Sequence, residues 1–408
     1  MRTLLLTLLI GAGLAFGAGS EAPAEQALVI LGDKVYTMAG AALVDGAVVC
    51  VDGKIVSVGP SSEITIPEGA RVIRAKVVTP GLVDAHSVVG LSGYLNQPHD
   101  QDQIEGSAPL QPELRAIDAY NPREALVAWL RGFGVTTVHT GHAPGAVISG
   151  QTLIAKTVGD TVEQSVIVPF AMVAATVGEG ATSGESPAPG TRAKAIALLR
   201  QELISAGEYA ADMAAGGDQA PARNLRKEAL AAVLAGERKL LITAHRAHDI
   251  AAALRVAAEF ELSMVLDGGA EAYLMIDELR AADVPVIVHA PMLRASGETK
   301  GLSMETPHLL QEAGLLVGLQ SGLENYVPKT RVVLFEAAIA ARYGCSFEDA
   351  LRMVTLDAAR IIGVDQRVGS LEPGKDADLA LYDGDPFEYT SHCIMVVIEG
   401  EVVSDVIR

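Results

Sequence analysis

Val78-Thr79-Pro80-Gly81-Leu82-Val83-Asp84-Ala85-His86-Ser87-Val88 decides the reading of this chain. The apolar run at 82–85 has the pattern of a buried strand, and it delivers a histidine to its C-terminal end. That end is where a (β/α)8 barrel gathers its reactive side chains. Alternate residues of a strand share one face, so a metal site here would want a second histidine at position 88. Valine stands there instead.

Outward from this stretch, residues 80–363 alternate strand-like and helix-like segments. Apolar runs at 135–139, 166–171, 240–244, 263–266, 285–289 and 315–319 read as further strands. Between and after them, amphipathic stretches at 122–133, 193–213, 225–235, 247–260, 270–281, 306–313, 329–343 and 346–362 read as helices. This order predicts an α/β fold built as a (β/α)8 barrel rather than a doubly wound sheet, since no glycine-rich phosphate turn follows the first strand. Three irregular segments, 92–121, 176–191 and 291–307, each follow a predicted strand and are expected as rim or lid loops on the catalytic face.

The two ends differ from this middle. Residues 26–79 and 364–408 carry short alternating runs separated by turn signals such as Asp45-Gly46, Asp52-Gly53 and Glu399-Gly400. Neither set is long enough to bury a core alone, so a small β-sandwich formed jointly by both ends is expected. Residues 1–20 look like an export signal: Arg2, an apolar run from Leu4 to Phe16, then Gly17, Ala18, Gly19 and Ser20. The expected location is periplasmic or extracellular, with no membrane contact after cleavage. Three separated cysteines, Cys50, Cys345 and Cys393, imply no disulfide framework. The 408-residue chain carries a formal net charge of −19. That charge argues against nucleic acid or an anionic membrane as partner and leaves a small-molecule substrate or ligand.

The combination of motifs resembles the amidohydrolase superfamily, over nearly all of the mature sequence. Pro80 to His86 resembles that family's first barrel strand, and Gly134-Val135-Thr136-Thr137-Val138 its second. Val368-Gly369-Ser370-Leu371-Glu372-Pro373-Gly374-Lys375-Asp376-Ala377-Asp378-Leu379 resembles the segment where the chain leaves the barrel. The nearest flavour is the imidazolonepropionase-like, exported branch. The resemblance implies hydrolysis of a C–N bond in a small amide or cyclic amide, other than in a long peptide, and homo-oligomers are plausible from it alone. It implies divalent metal, zinc by donor type, which lowers the pKa of bound water and polarises the carbonyl. The ligands it implies are a His-x-His on strand one, a carboxylated lysine or a glutamate on strand four, a histidine on each of strands five and six, and an aspartate on strand eight.

Matched position by position, that set is thin. His86 is kept and Val88 replaces its partner. His245 is kept in Ile242-Thr243-Ala244-His245, although Thr243 could be the true ligand position. Gly268 stands where the strand-six histidine belongs, and Gln320 and Ser321 where the aspartate belongs. Lys156 is the nearby lysine available as a carboxylated bridge. Two readings follow. In the first, His139, His142, His289 and His99 at other strand ends and loops join His86 and His245 around one zinc, with Asp100, Asp102, Asp267 or Glu324 as ligand or base. Asp84 then orients His86, and Glu324, Lys329 and Arg331 are substrate-binding candidates, the two cations receiving a substrate carboxylate. In the second, no metal is bound and the barrel is a catalytically inactive protein that binds a ligand or a partner.

Overall fold

The computed structural model describes residues 27–95, 97–182, 189–217, 220–322 and 332–408. The expected export signal therefore lies outside the described residues, as do Glu324, Lys329 and Arg331. None of the described helices is long and apolar enough to cross a membrane.

Both chain ends feed one sheet. Strands β1 (Leu28–Val35), β2 (Leu43–Val51), β3 (Lys54–Pro60) and β4 (Arg71–Pro80) come from the N-terminal side. They pair with C-terminal strands in the order β17-β16-β15-β4-β1-β2-β3, where β15 is Leu379–Tyr382, β16 Cys393–Ile398 and β17 Glu401–Ser404. The join is antiparallel, Leu379 opposite Pro80 and Leu381 opposite Val78. Among the described residues these seven strands are joined in one hydrogen-bonded sheet, drawn from both chain ends.

One residue, Gly81, separates β4 from the first barrel strand, β5 (Leu82–Ser87). A Cβ at position 81 would lie 2.2 Å from Thr136 Oγ1, so only glycine lets the chain pass β6 (Val135–Thr140) here. This contact is the physical content of the Pro80-Gly81 signature.

The barrel strands fall into two paired sheets. The first holds β5, β6, β8 (Leu153–Lys156) and β9 (Val166–Val168). The second runs β7 (Ile148–Gln151), β10 (Met172–Thr176), β11 (Lys239–Ala244), β12 (Met264–Gly268), β13 (Val286–Val288) and β14 (Val317–Leu319). Strands β7 and β8 are two halves of one extended run divided at Thr152. The first half pairs antiparallel with β10, the second antiparallel with β6. On the other side a parallel bridge from Ser87 to Gly322 brings β5 back to the end of β14. The circuit thus has seven parallel staves and one antiparallel stave, β7–β8. The run at 166–171, expected as a barrel strand, holds the short outer strand β9, and the stave that follows is β10.

Inside the circuit, Val83, Ile154, Met172, Leu241, Val265 and Ile287 form a layered core. The helix Leu356–Ile362 closes its floor with Ala358 and Ile361. That floor lies at the strand N-termini, because Lys239, the first residue of β11, donates to the Ile361 carbonyl at 2.8 Å. The open end is therefore the C-terminal one, as in barrel enzymes generally.

Candidate active site

Strand β5 reaches the mouth with a bulge. Asp84 pairs with Val138 and Ser87 with Thr140, so three steps on β5 face two on β6. The extra residue turns consecutive side chains inward: Ala85 joins the barrel core and His86 faces the mouth. Directly opposite one another on β11 and β12, Thr243 and Asp267 also reach the mouth, and Gln320 follows β14.

These four side chains meet. The fully buried Asp267 carboxylate accepts from His86 Nδ1 at 3.0 Å, from Thr243 Oγ1 at 2.5 Å and from Gln320 Nε2 at 2.8 Å. Burial pushes the Asp267 carboxyl up, but the His86 charge and these hydrogen bonds outweigh it and hold the group at about 2. For His86, burial works against protonation, and the Asp267 charge and hydrogen bond overcome it, so its pKa is raised and the imidazolium is favoured. Beside them Asp84 accepts the backbone N–H of Ser321 at 3.0 Å and the Ser321 hydroxyl. Asp84 thus braces β5 against the segment after β14, and burial raises it to about 6.

A cavity of about 500 Å³ opens above this group, lined by His86, His245, Asp267, His289 and Arg294 among others. His245 stands against Gly268, whose φ is +85° and where a Cβ would fall 2.5 Å from the His245 ring. The ring fills the space that a side chain at the expected strand-six ligand position would need. His289 donates from Nδ1 to the Ala290 carbonyl at 3.0 Å, and burial holds it at about 4. His245 is also held below the usual histidine range by burial. His86 Nε2, His245 Nδ1 and His289 Nε2 all lack a hydrogen-bond partner.

Other candidates lie elsewhere. Lys156 is a correction: it ends the antiparallel stave, so its C-terminal position falls at the floor, paired with Thr137 near the start of β6. There it is buried and ion-paired with Asp376 at 3.0 Å and with Asp378, which leaves no free amine for a carboxylated bridge. His139 has both ring nitrogens engaged, Nδ1 with the Ala85 carbonyl and Nε2 with Thr152 Oγ1, each at 2.7 Å. His142 is buried against Gly150 and does not line the cavity. His99 and Asp100 sit in a short 3-10 turn, where Asp100 caps Gln97, and Asp102 does not line the cavity. Glu271 accepts from Ala247 N–H, at the start of helix Ala247–Glu259, at 2.8 Å. Arg294 escaped the sequence reading. The signal was available in the irregular segment 291–307, which also brings Leu293, Ser296 and Thr299 to the cavity.

Residues 77–403 match the sequence profile described as the Amidohydrolase family. The chain belongs to the amidohydrolase family. It is 24% identical to an imidazolonepropionase from Sphingopyxis alaskensis over 87% of this chain and 91% of that one. It is 25% identical to amidohydrolase tasK from Hapsidospora irregularis over 88% of this chain, yet it spans only 39% of that protein's length. A crystal structure of an amidohydrolase from Thermotoga maritima superimposes with a TM-score of 0.88 at 29% identity, covering 93% of this chain and all of that one. The family fold is the TIM barrel, and its members usually employ divalent metals such as zinc. The donors here do not fit a family-type centre. By the sequence resemblance Val88 and Gly268 stand at two of its positions and Gln320 and Ser321 at a third, and no three His, Cys, Asp or Glu side chains among the described residues are grouped to hold an ion.

Proposed function

We propose that the protein binds a small amide or peptide-like molecule bearing an anionic group in this cavity and hydrolyses its C–N bond without a resident metal. The observation that carries the reading is the set of three unpartnered ring nitrogens, on His86, His245 and His289, around one cavity. Family membership supports the reaction class. Environment divides the roles: the ring paired with Asp267 favours its charged form, while the two others are held neutral. His86 Nε2–H would donate to the substrate carbonyl oxygen and stabilise the negative charge that develops there. A neutral His245 or His289 would accept a proton from water as its oxygen bonds to the carbonyl carbon. That proton then passes to the departing nitrogen as the C–N bond breaks. Exposed Arg294, without an ion-pair partner among the described residues, supports the anionic group. The proposal of export rests on residues 2–20 alone.

A second reading, ligand binding without turnover, is favoured by the loss of the residues at 88, 268 and 320. One experiment separates them. Chelator-treated protein is incubated with N-acyl amino acids, dipeptides and cyclic amides, and free amine and heat of binding are both recorded. Turnover abolished by His86→Ala supports the hydrolase. Binding without amine release establishes the second reading, and turnover that appears only with added metal overturns the metal-free chemistry.

A further inference from the structure

The Asp267 network reaches further than one strand pair. Asp267, on β12, takes donors from β5 through His86, from β11 through Thr243, and from the end of β14 through Gln320. Gln320 Nε2 also lies 3.3 Å from the Ile287 carbonyl on β13. One connected group of side chains therefore ties five staves at the mouth. The circuit most needs this tie between β14 and β5, where the pairing is reduced to the bridge from Ser87 to Gly322 and a 3.2 Å bond from Gly322 N–H to the His86 carbonyl. The Asp84–Ser321 clasp crosses the same seam.

We infer that this carboxylate-centred network takes the place of a strand-bridging metal, so that the chain folds and keeps its cavity with no ion bound. A cation at this point would need lone pairs on Asp267, and both of its oxygens already accept donors. It would compete with a ring N–H, an amide N–H and a hydroxyl that already fill three of the carboxylate's roughly four lone-pair positions. One residue at a departure from the family pattern supplies the network: Gln320, which with Ser321 stands where an aspartate is expected, gives Asp267 an N–H that a carboxylate could not.

The test uses the full chain and needs no substrate, so its outcome is separable from that of the proposed hydrolysis. Protein produced with zinc in the medium and purified without chelator is analysed for metal, and its melting midpoint is followed with EDTA and with added zinc chloride. Substoichiometric metal and a midpoint unmoved by either addition are expected. One or more retained equivalents, or a midpoint raised by zinc, would overturn the inference. Thr243→Val and Gln320→Leu remove single donors at similar volume and leave the buried carboxylate in place, so the test does not hinge on whether Asp267→Asn folds. Each is expected to lower the midpoint by roughly 2–6 °C. Midpoints equal to wild type in both variants would equally overturn it.

Discussion

Lowering the pH from 7 to 5 is expected to destabilise this fold through its buried neutral histidines. His139 is fully buried as a neutral ring: Nδ1–H donates to Ala85 O and Nε2 accepts from Thr152. Burial, reinforced by the nearby His86 charge, lowers it to about 3. Burial holds His289 at about 4. In the unfolded chain both titrate near 6.5. With folded values depressed, the unfolded state takes up protons that the folded state refuses. The associated stability is whole above pH 6.5 and is lost as the pH falls toward the folded values. At pH 5 each ring has lost about 2 kcal/mol, from roughly 1.5 pH units at ~1.4 kcal/mol each.

Asp84 opposes this. Burial raises it to about 6 against the Ser321 hydrogen bonds, so the folded state gains a proton first and recovers about 1 kcal/mol by pH 5. Asp267, lowered to about 2, is ionised in both states at pH 5 and contributes only in stronger acid. The raised His86 adds stability that is complete below pH 6.5 and fades at higher pH, so it does not cause the acid loss. From these groups the expected loss between pH 7 and 5 is about 3 kcal/mol, and His245 and His142, also lowered by burial, add to it in the same direction. Urea unfolding followed by circular dichroism at pH 7, 6 and 5 measures it, in moderate salt to damp repulsion within a chain of net charge −19. His139→Gln removes one titrating ring and should remove about 2 kcal/mol of the histidine-linked pH dependence. A flat wild-type profile, or an unaltered slope in that variant, would refute the reasoning.

Lys156→Met strands Asp378 without its cation and should cost roughly 3–5 kcal/mol in denaturant unfolding, with ligand affinity unchanged. A selective loss of affinity in a stable variant would show that Lys156 does not sit at the floor. Gly268→Ala forces a side chain into a φ of +85° and into the His245 ring, so a loss of about 1–3 kcal/mol is expected. The His245 ring resonances should shift with it, and unshifted resonances would contradict the packing. Arg294→Ala should weaken a carboxylate ligand about tenfold in calorimetry while leaving the melting midpoint in place, because the side chain is exposed. Equal affinity for the carboxylate and its amide in wild type would remove Arg294 from recognition.

The staves were readable because a strand between helices must be apolar on both faces, and 240–244 and 285–289 fall within a residue or two of β11 and β13. Direction was not readable. A period of two looks the same in either sense, so the run Ile148–Lys156 gave no sign that it is antiparallel, and Lys156 was placed at the wrong end of the barrel. The bulge that turns His86 into the mouth was hidden for a similar reason, since register is set by the partner strand and not by the strand itself. The site shows the deeper limit. Gly268 and Gln320 each read along the chain as a lost ligand, and Thr243 as an alternative to the kept His245. Yet Thr243 and Gln320 lie 24 and 53 residues from the carboxylate they both bind, and His86 lies 181 residues away. Motif comparison weighs each position against one expected partner, the metal. The folded chain offers another partner, Asp267, and Thr243 and Gln320 act on it together. A buried carboxylate without donors would be strongly destabilising. Reverting Gln320 to an acid alone would therefore put two carboxylates at the mouth of the barrel and destabilise it, and would not bring a metal site closer.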